Sequence, residues 1–293
     1  MLSTLALNSR WSLSNQFLPH GSRCLERDVA RCREDIECRV AGQLQLSSLY
    51  TAQDAERLWH QVVKHIYLND YLEKYENISF QLRRNAEPRW KWKWKNKAYP
   101  RIPCLLDFES WVSKHKLGAP EHLLCTDPND PELEFLTPKK VTTYIHQEGE
   151  EPSGDLHYIP CHVNPAQNFD LVLISQTLEH LHNPLLALLN VFHFMRGGGH
   201  IFTSVPANNL PHMTPVHYFH YTPMGLAVLF QRAGFEVLEI GAWGSPEYDV
   251  GMFSSRKWLD YSELQNQEGL ISNRADTNPA DVWLLARKPF AAI

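Results

Sequence analysis

No apolar run in this chain approaches the about 18 residues that cross a bilayer as a helix, so a helical membrane span is excluded. Basic charge is not in excess: 28 Lys and Arg against 33 Asp and Glu leave a net charge of −5. Any contact with nucleic acid or an anionic membrane must therefore come from a local patch. The six cysteines (Cys24, Cys32, Cys38, Cys104, Cys125, Cys161) include no C-x-x-C pair. That spacing argues for separate reduced thiols against a disulfide or a zinc site. Acid is missing from the first 25 residues, which hold five serines, Arg10 and Arg23. Organelle transit peptides and disordered starts share this composition, so the expected location is cytoplasmic with organellar targeting open. The same stretch lacks the continuous apolar core of a secretory signal, and the sequon Asn77-Ile78-Ser79 carries no weight without secretion.

What is present points to one sizeable core with an appendage, since 293 residues are 43% hydrophobic. Residues 168–209 organise the rest. Residues 169–174 form a short Leu-, Val- and Ile-rich run, the composition of a strand covered on both faces. Pro184 suits the first turn of a helix. Leu185, Leu188, Leu189, Phe192 and Met195 then fall on one side of it at three- and four-residue spacing. Gly197-Gly198-Gly199 is expected to stop that helix, and residues 201–205 read as a second buried strand. Strand, crossover helix and strand make a right-handed βαβ unit. Ligands of such units collect at the carboxyl ends of the strands. Here those ends carry Ser175, Gln176, Thr177, Leu178, Glu179 and His180, and then Pro206, Ala207, Asn208 and Asn209.

Around this unit the elements are expected as follows. Thr51 with Asp54 reads as an N-cap opening a helix to about residue 75, with Leu58, Val62 and Ile66 on a wide apolar face. Residues 89–95, RWKWKWK, alternate strictly, placing three Trp on one face of an extended strand and three Lys on the other. The Trp face either covers the core or, with the lysines, stacks on single-stranded nucleic acid or a glycan. A helix is expected around residues 107–115. Strands follow at 121–126, 140–146 and 156–163. Thr222-Pro223 opens a further helix with Leu226, Leu229 and Phe230 inward and Gly234 as its stop. Residues 236–241 and 282–288 are the last two strands, and 254–279 read as a surface excursion.

The wording FDLV, then LEHL, then GGG before a strand, followed by an aromatic-rich loop, a TP-initiated helix and AGF, resembles the class I S-adenosylmethionine-dependent methyltransferases, closest to the broad family with an LEH signature. The resemblance covers roughly residues 121–288. It implies an α/β, doubly wound, mostly parallel seven-stranded sheet of the Rossmann-like methyltransferase fold over residues 117–293. Before it stand a poorly ordered or targeting-like stretch, 1–50, and a helical flank or lid, 51–116. It also implies S-adenosyl-L-methionine as cofactor. The family's glycine-rich turn after the first strand is replaced by Asp127-Pro128-Asn129-Asp130-Pro131-Glu132, which contains no glycine. Asn and Asp tolerate left-handed geometry best among the other residues. Their oxygens can hold the cofactor's ammonium by charge-assisted hydrogen bonds. By this resemblance Thr126, Asp127, Asn129, Asp130, Gln147, His162, Ser175 and Gln176 are the candidate cofactor contacts. Ile145 stands where the family places a ribose-binding acid, so Gln147 or Glu148 is the substitute.

Methyl transfer is an in-line displacement that depends on positioning and dryness, and a general base helps a hydroxyl or acid acceptor. His180, just past a strand end, is the candidate base, with Glu179 to orient it or contact substrate; both residues are otherwise explained as capping the next helix or holding the loop. Asn208, Asn209, His212, His217 and Tyr221 are the candidate substrate residues. His212, His217 and His220 lack metal-ligand spacing, and no carboxylate or cysteine stands among them, so no metal site is expected. The expected function is methyl transfer to a small-molecule or glycan-like acceptor. The alternatives are a catalytically inactive methyltransferase-like scaffold and nucleic-acid binding through the Trp/Lys strand. The net acidity disfavours the latter.

Overall fold

The computed structural model describes residues 52–63, 66, 96–143, 156, 169–212, 216–264 and 273–290. Its six strands are β1 (His122–Cys125), β2 (Lys140–Thr143), β3 (Phe169–Ser175), β4 (Met195–Pro206), β5 (Glu236–Trp243) and β6 (Asp281–Arg287). The helices are α1 (Ala52–Gln61), α2 (Arg101–His115), α3 (Pro184–Phe194), α4 (Pro223–Arg232), α5 (Pro246–Ser255) and the short α6 (Tyr261–Leu264). Single 3-10 turns lie at Pro131–Phe135 and Leu178–His180.

The strands form one sheet in the order β2-β1-β3-β4-β6-β5. β1, β2, β3 and β4 pair in parallel, while β6 runs antiparallel between β4 and β5. This is the doubly wound, mostly parallel arrangement expected from the sequence, with the last strand reversed. Residues 169–175 and 199–205 are adjacent in the sheet, as a βαβ unit requires. The seventh expected strand, 156–163, lies outside the described residues apart from the buried Leu156. The end of the expected second strand, most of the N-terminal helix beyond Gln61, residues 1–50 and the Trp/Lys stretch also lie outside them.

Period-two alternation sorts the strand residues between two cores. Leu171, Leu173, Phe202, Trp283 and Leu285 face α2, α5 and α6. Val172, Ile174, Ile201, Val205, Val282 and Leu284 face α1, α3 and α4. Both faces are covered, which is why β3 is rich in Leu, Val and Ile and is buried throughout. Helix starts follow local chemistry. Asn183 caps α3 by accepting from the Leu186 amide at 3.2 Å, and Thr222 caps α4 through the Gly225 amide at 3.0 Å. The capping of α3 thus falls to Asn183 and not to Glu179 or His180, which contact the loop at 216–219.

Three expectations need correction. The glycine triplet does not stop α3, which ends at Phe194; Met195 is already extended and the glycines lie inside β4. Gly199 is needed where the β3–β4 register shifts between Phe169 and Leu171, since a Cβ there would stand 2.9 Å from the Phe169 carbonyl oxygen. The helix expected from residue 107 begins at Arg101, a change that brings a new charge to the sheet edge. Residues 254–279 are not a mere excursion: Leu259, Tyr261, Leu264 and Ala275 are buried. Tyr261 stacks on Tyr99 at 6.4 Å, so aromatic packing recovers what a low apolar count concealed.

Gly234 has φ +96° directly after α4, a backbone that disfavours a Cβ. Gly234→Ala is expected to lower stability by about 1–2 kcal/mol, read by urea denaturation. An unchanged midpoint would show that the turn relaxes freely.

Candidate active site

Chain direction reverses across β1: it leaves β1 for β2 on one side and returns to β3 on the other. The crevice between β1 and β3 is therefore the switch point at which open α/β sheets hold ligands. The Thr126 and Thr177 hydroxyls bridge it at 2.9 Å.

On one side of this crevice lies a buried polar network. Arg101, from the first turn of α2, donates to Glu132 Oε1 at 2.7 Å and to Ser204 Oγ at 2.7 Å. Ser175 Oγ donates to the same Glu132 oxygen at 3.0 Å. Gln176, held at φ +47°, donates from Nε2 to Asp281 at 3.1 Å and to Ser204 at 3.3 Å. Burial pushes the Asp281 carboxyl up to about 7, against the pull of Arg101 and the Gln176 hydrogen bond. Burial, then Glu132, raises the Asp130 carboxyl as well. Among the described residues, neither Asp130 Oδ2 nor Glu132 Oε2 receives a hydrogen bond, although both atoms are buried. Two acceptors without donors at a switch point are a demand for a ligand that carries donors.

The predicted cofactor residues divide accordingly. Ser175, Gln176, Thr126 and Asp130 lie in this region. Asp127 is exposed and turns back to accept from the Asn129 amide at 2.8 Å, so both residues serve the turn itself. Gln147 and His162 lie outside the described residues. Sequence reading missed Arg101, Glu132 as an ion-pair partner, and Asp281. For Asp281 a signal existed: in an antiparallel strand the first residue, not the last, stands at the ligand edge, and Asp281 opens β6 opposite Pro206.

The second group gathers around the 3-10 turn after β3. His180 Nδ1 is 2.8 Å from the Val216 carbonyl oxygen, and its Nε2 is 3.0 Å from Nε2 of His212. His212 Nδ1 is 3.1 Å from His217 Nδ1, and His217 Nε2 is 3.0 Å from the Phe219 carbonyl oxygen. Glu179 is fully buried, with Oε1 3.7 Å from His180 Nε2, and burial pushes its carboxyl up to about 8. Burial and the neighbouring rings of His220 and His212 hold His217 down near 4. The fold thus unites Glu179, His180, His212 and His217, which the sequence had left in two groups. Trp258 closes one side, its ring 5.5 Å from that of His212, and donates to Asn209. Asn208 instead donates to Asp249, and the Tyr221 hydroxyl donates to the Leu178 carbonyl at 3.1 Å. Those two candidate substrate residues hold the scaffold.

Residues 122–240 match the family model described as "Methyltransferase domain". Over that stretch the chain is similar to methyltransferase domains. No curated protein was found to match the sequence. Among solved structures, the N-methyltransferase NodS from Bradyrhizobium japonicum, in complex with S-adenosyl-L-homocysteine, is 14% identical with a TM-score of 0.39, the match covering 73% of this chain and 98% of that one. The 1,6-didemethyltoxoflavin-N1-methyltransferase of Burkholderia thailandensis is 14% identical with a TM-score of 0.41, covering 78% and 89% of the two chains. An S-adenosylmethionine-dependent methyltransferase from Mesorhizobium loti is 14% identical with a TM-score of 0.40, covering 63% and 96%. No helix among the described residues is long and apolar enough to cross a membrane.

Proposed function

We propose that this protein methylates a small-molecule or glycan-like acceptor, with S-adenosylmethionine held at the β1–β3 crevice. The observation that carries the reading is the pair of buried, donor-less carboxylate oxygens on Asp130 and Glu132 beside that crevice. The ammonium and ribose hydroxyls of S-adenosylmethionine are donors of the kind these oxygens lack, so the residues present fit the cofactor. When bound, it supplies an electrophilic methyl group on a sulfonium. This chain's residues then have three tasks. Asp130 and Glu132 bind; Arg101, by pairing with Glu132, fixes the carboxylate's position; Thr126 and Thr177 hold the two strand ends together. On the acceptor side, Glu179, His180 and His212 present a cluster able to stabilise an acceptor as its proton leaves. The half-exposed rings of Trp258, Tyr218 and Phe219 offer apolar faces against which a planar or sugar-like acceptor can pack.

Calorimetric titration with S-adenosylmethionine and its demethylated product tests this reading. Asp130→Asn is expected to weaken binding roughly ten- to hundredfold, the loss of one charge-assisted hydrogen bond. Asp127→Ala, at the exposed turn, is expected to leave it nearly unchanged. Equal affinity in the wild type and Asp130→Asn would remove the carboxylates from the cofactor site.

One feature favours a second reading. Arg101, Glu132, Ser204, Gln176 and Asp281 satisfy much of the sheet edge internally, and the preceding turn has no glycine. A methyltransferase-like binding module without catalysis would show the same network. Failure of the folded wild type to bind either nucleoside would select it.

A further inference from the structure

The carbonyl contacts of the histidine cluster bear on its tautomers. His180 Nδ1 lies 2.8 Å from the Val216 carbonyl oxygen, a contact that suits a proton on that nitrogen and a lone pair on Nε2. His217 Nε2 likewise faces the Phe219 carbonyl and carries its proton, which makes His217 Nδ1 an acceptor. His212 Nδ1, 3.1 Å from that acceptor and 3.4 Å from the Leu210 carbonyl, must then be the donor, and its own lone pair falls on Nε2. Two lone pairs, on His180 Nε2 and His212 Nε2, thus face one another at 3.0 Å. Beside them stands Glu179, fully buried, neither of whose carboxylate oxygens receives a hydrogen bond among the described residues. Two ring nitrogens and a carboxylate, all metal-ligand types, thus converge on one point.

We infer that Glu179, His180 and His212 form a divalent transition-metal site, best suited to zinc, on the acceptor side of the crevice. The three ligand atoms lie within 4.8 Å of one another. Zinc with Zn–N distances of about 2.0–2.1 Å in tetrahedral geometry sets two nitrogens about 3.3 Å apart, close to the separation of the two Nε2 atoms. Two imidazoles and a carboxylate are a ligand set zinc takes, and three protein ligands leave one position open, the pattern of catalytic rather than structural zinc. The outer partners are also in place. Val216 fixes the His180 ring, and His217 fixes the His212 ring, as outer hydrogen bonds do for metal-bound histidines. A cation here offsets the cost of burying the Glu179 carboxylate without donors. The metal site does not depend on the methyl-transfer reading. Only its use does: there, the open position would hold an acceptor oxygen and favour its deprotonated form.

The full chain, stripped with chelator and confirmed folded by circular dichroism, is titrated with zinc alone against a chromophoric chelator, and bound metal is counted by elemental analysis. One equivalent per chain is expected, and cobalt in its place should give the visible absorption of a four- or five-coordinate ion. His212→Ala, at a half-buried position that leaves the core intact, should weaken zinc binding at least hundredfold. His217→Ala should weaken it roughly ten- to hundredfold through the outer shell. His220→Ala should keep it. A folded, stripped protein that takes up no zinc overturns the site and leaves a shared proton between the rings. Uptake that His212→Ala does not diminish overturns it too, by placing the metal elsewhere. Since S-adenosylmethionine is absent from this titration, a failed cofactor titration and a failed metal titration remain separate results.

Discussion

Arg101→Met will lower the unfolding free energy by about 3–5 kcal/mol, the range seen when one member of a buried ion pair is removed. Glu132 has no exposed side-chain surface and Arg101 keeps 13%. With the guanidinium gone, Glu132 retains the Ser175 hydroxyl as donor, and one neutral hydrogen bond cannot stand in for a charge. Ser204 loses its Arg101 donor in the same step. The methionine fills much of the vacated volume, so a cavity adds little. The double variant Arg101→Met, Glu132→Gln should recover most of the loss, because the buried charge is then removed together with its partner. Urea denaturation followed by circular dichroism at neutral pH gives the three numbers. A loss below about 1 kcal/mol in the single variant would place the pair in an environment as screened as an exposed surface bridge, and the proposed rigid cofactor edge would go with it.

How far the sequence spoke depended on the range of the interaction. Periodicity and caps are local, and they located β3, α3, α4 and β5 within a few residues. The strand β6 was legible as an apolar run near the end of the chain, whereas its antiparallel direction came only by analogy with the family it resembles. The glycine triplet misled because a glycine run is equally compatible with a helix stop and with a strand crossing a register shift. Only the approach of the Phe169 carbonyl to Gly199 decides between the two. The site divided in the same way. Ser175 and Gln176 were visible because strand ends are predictable from strands. Arg101, 103 residues from the hydroxyl it bonds, has no local signature at all. The histidines failed as a metal motif in one dimension, since the carboxylate they lacked belongs to the loop after β3. The fold carries His212 back over that loop, 32 residues away in sequence, and completes the set.

Asp281→Asn will flatten the pH dependence of stability. Its carboxyl, ordinarily near 3.8, is pushed up to about 7 by burial, with Arg101 and Gln176 pulling the other way and Glu132 adding a smaller rise. The folded protein therefore holds a proton that the unfolded chain releases between about pH 4 and pH 7. In that window the native state binds more protons, so stability falls as pH rises, and it is flat on either side. A shift of roughly three pK units corresponds to at most about 4 kcal/mol; relaxation and entering water reduce this to on the order of 2–4 kcal/mol. His200 and His217, both held near 4 chiefly by burial, act in the opposite sense, losing stability as pH falls below about 6.5. The wild-type curve is thus a net of opposing groups, and the difference between wild type and variant isolates Asp281. Asparagine keeps an acceptor for the Gln176 amide, so the packing of β6 should survive. Urea titrations at pH 5, 6, 7 and 8 should show the variant gaining on the wild type by most of that 2–4 kcal/mol across the series. Parallel curves would mean that Asp281 is already ionised beside Arg101 at pH 5, and that the network is a salt-bridge triad rather than one ion pair with a protonated neighbour.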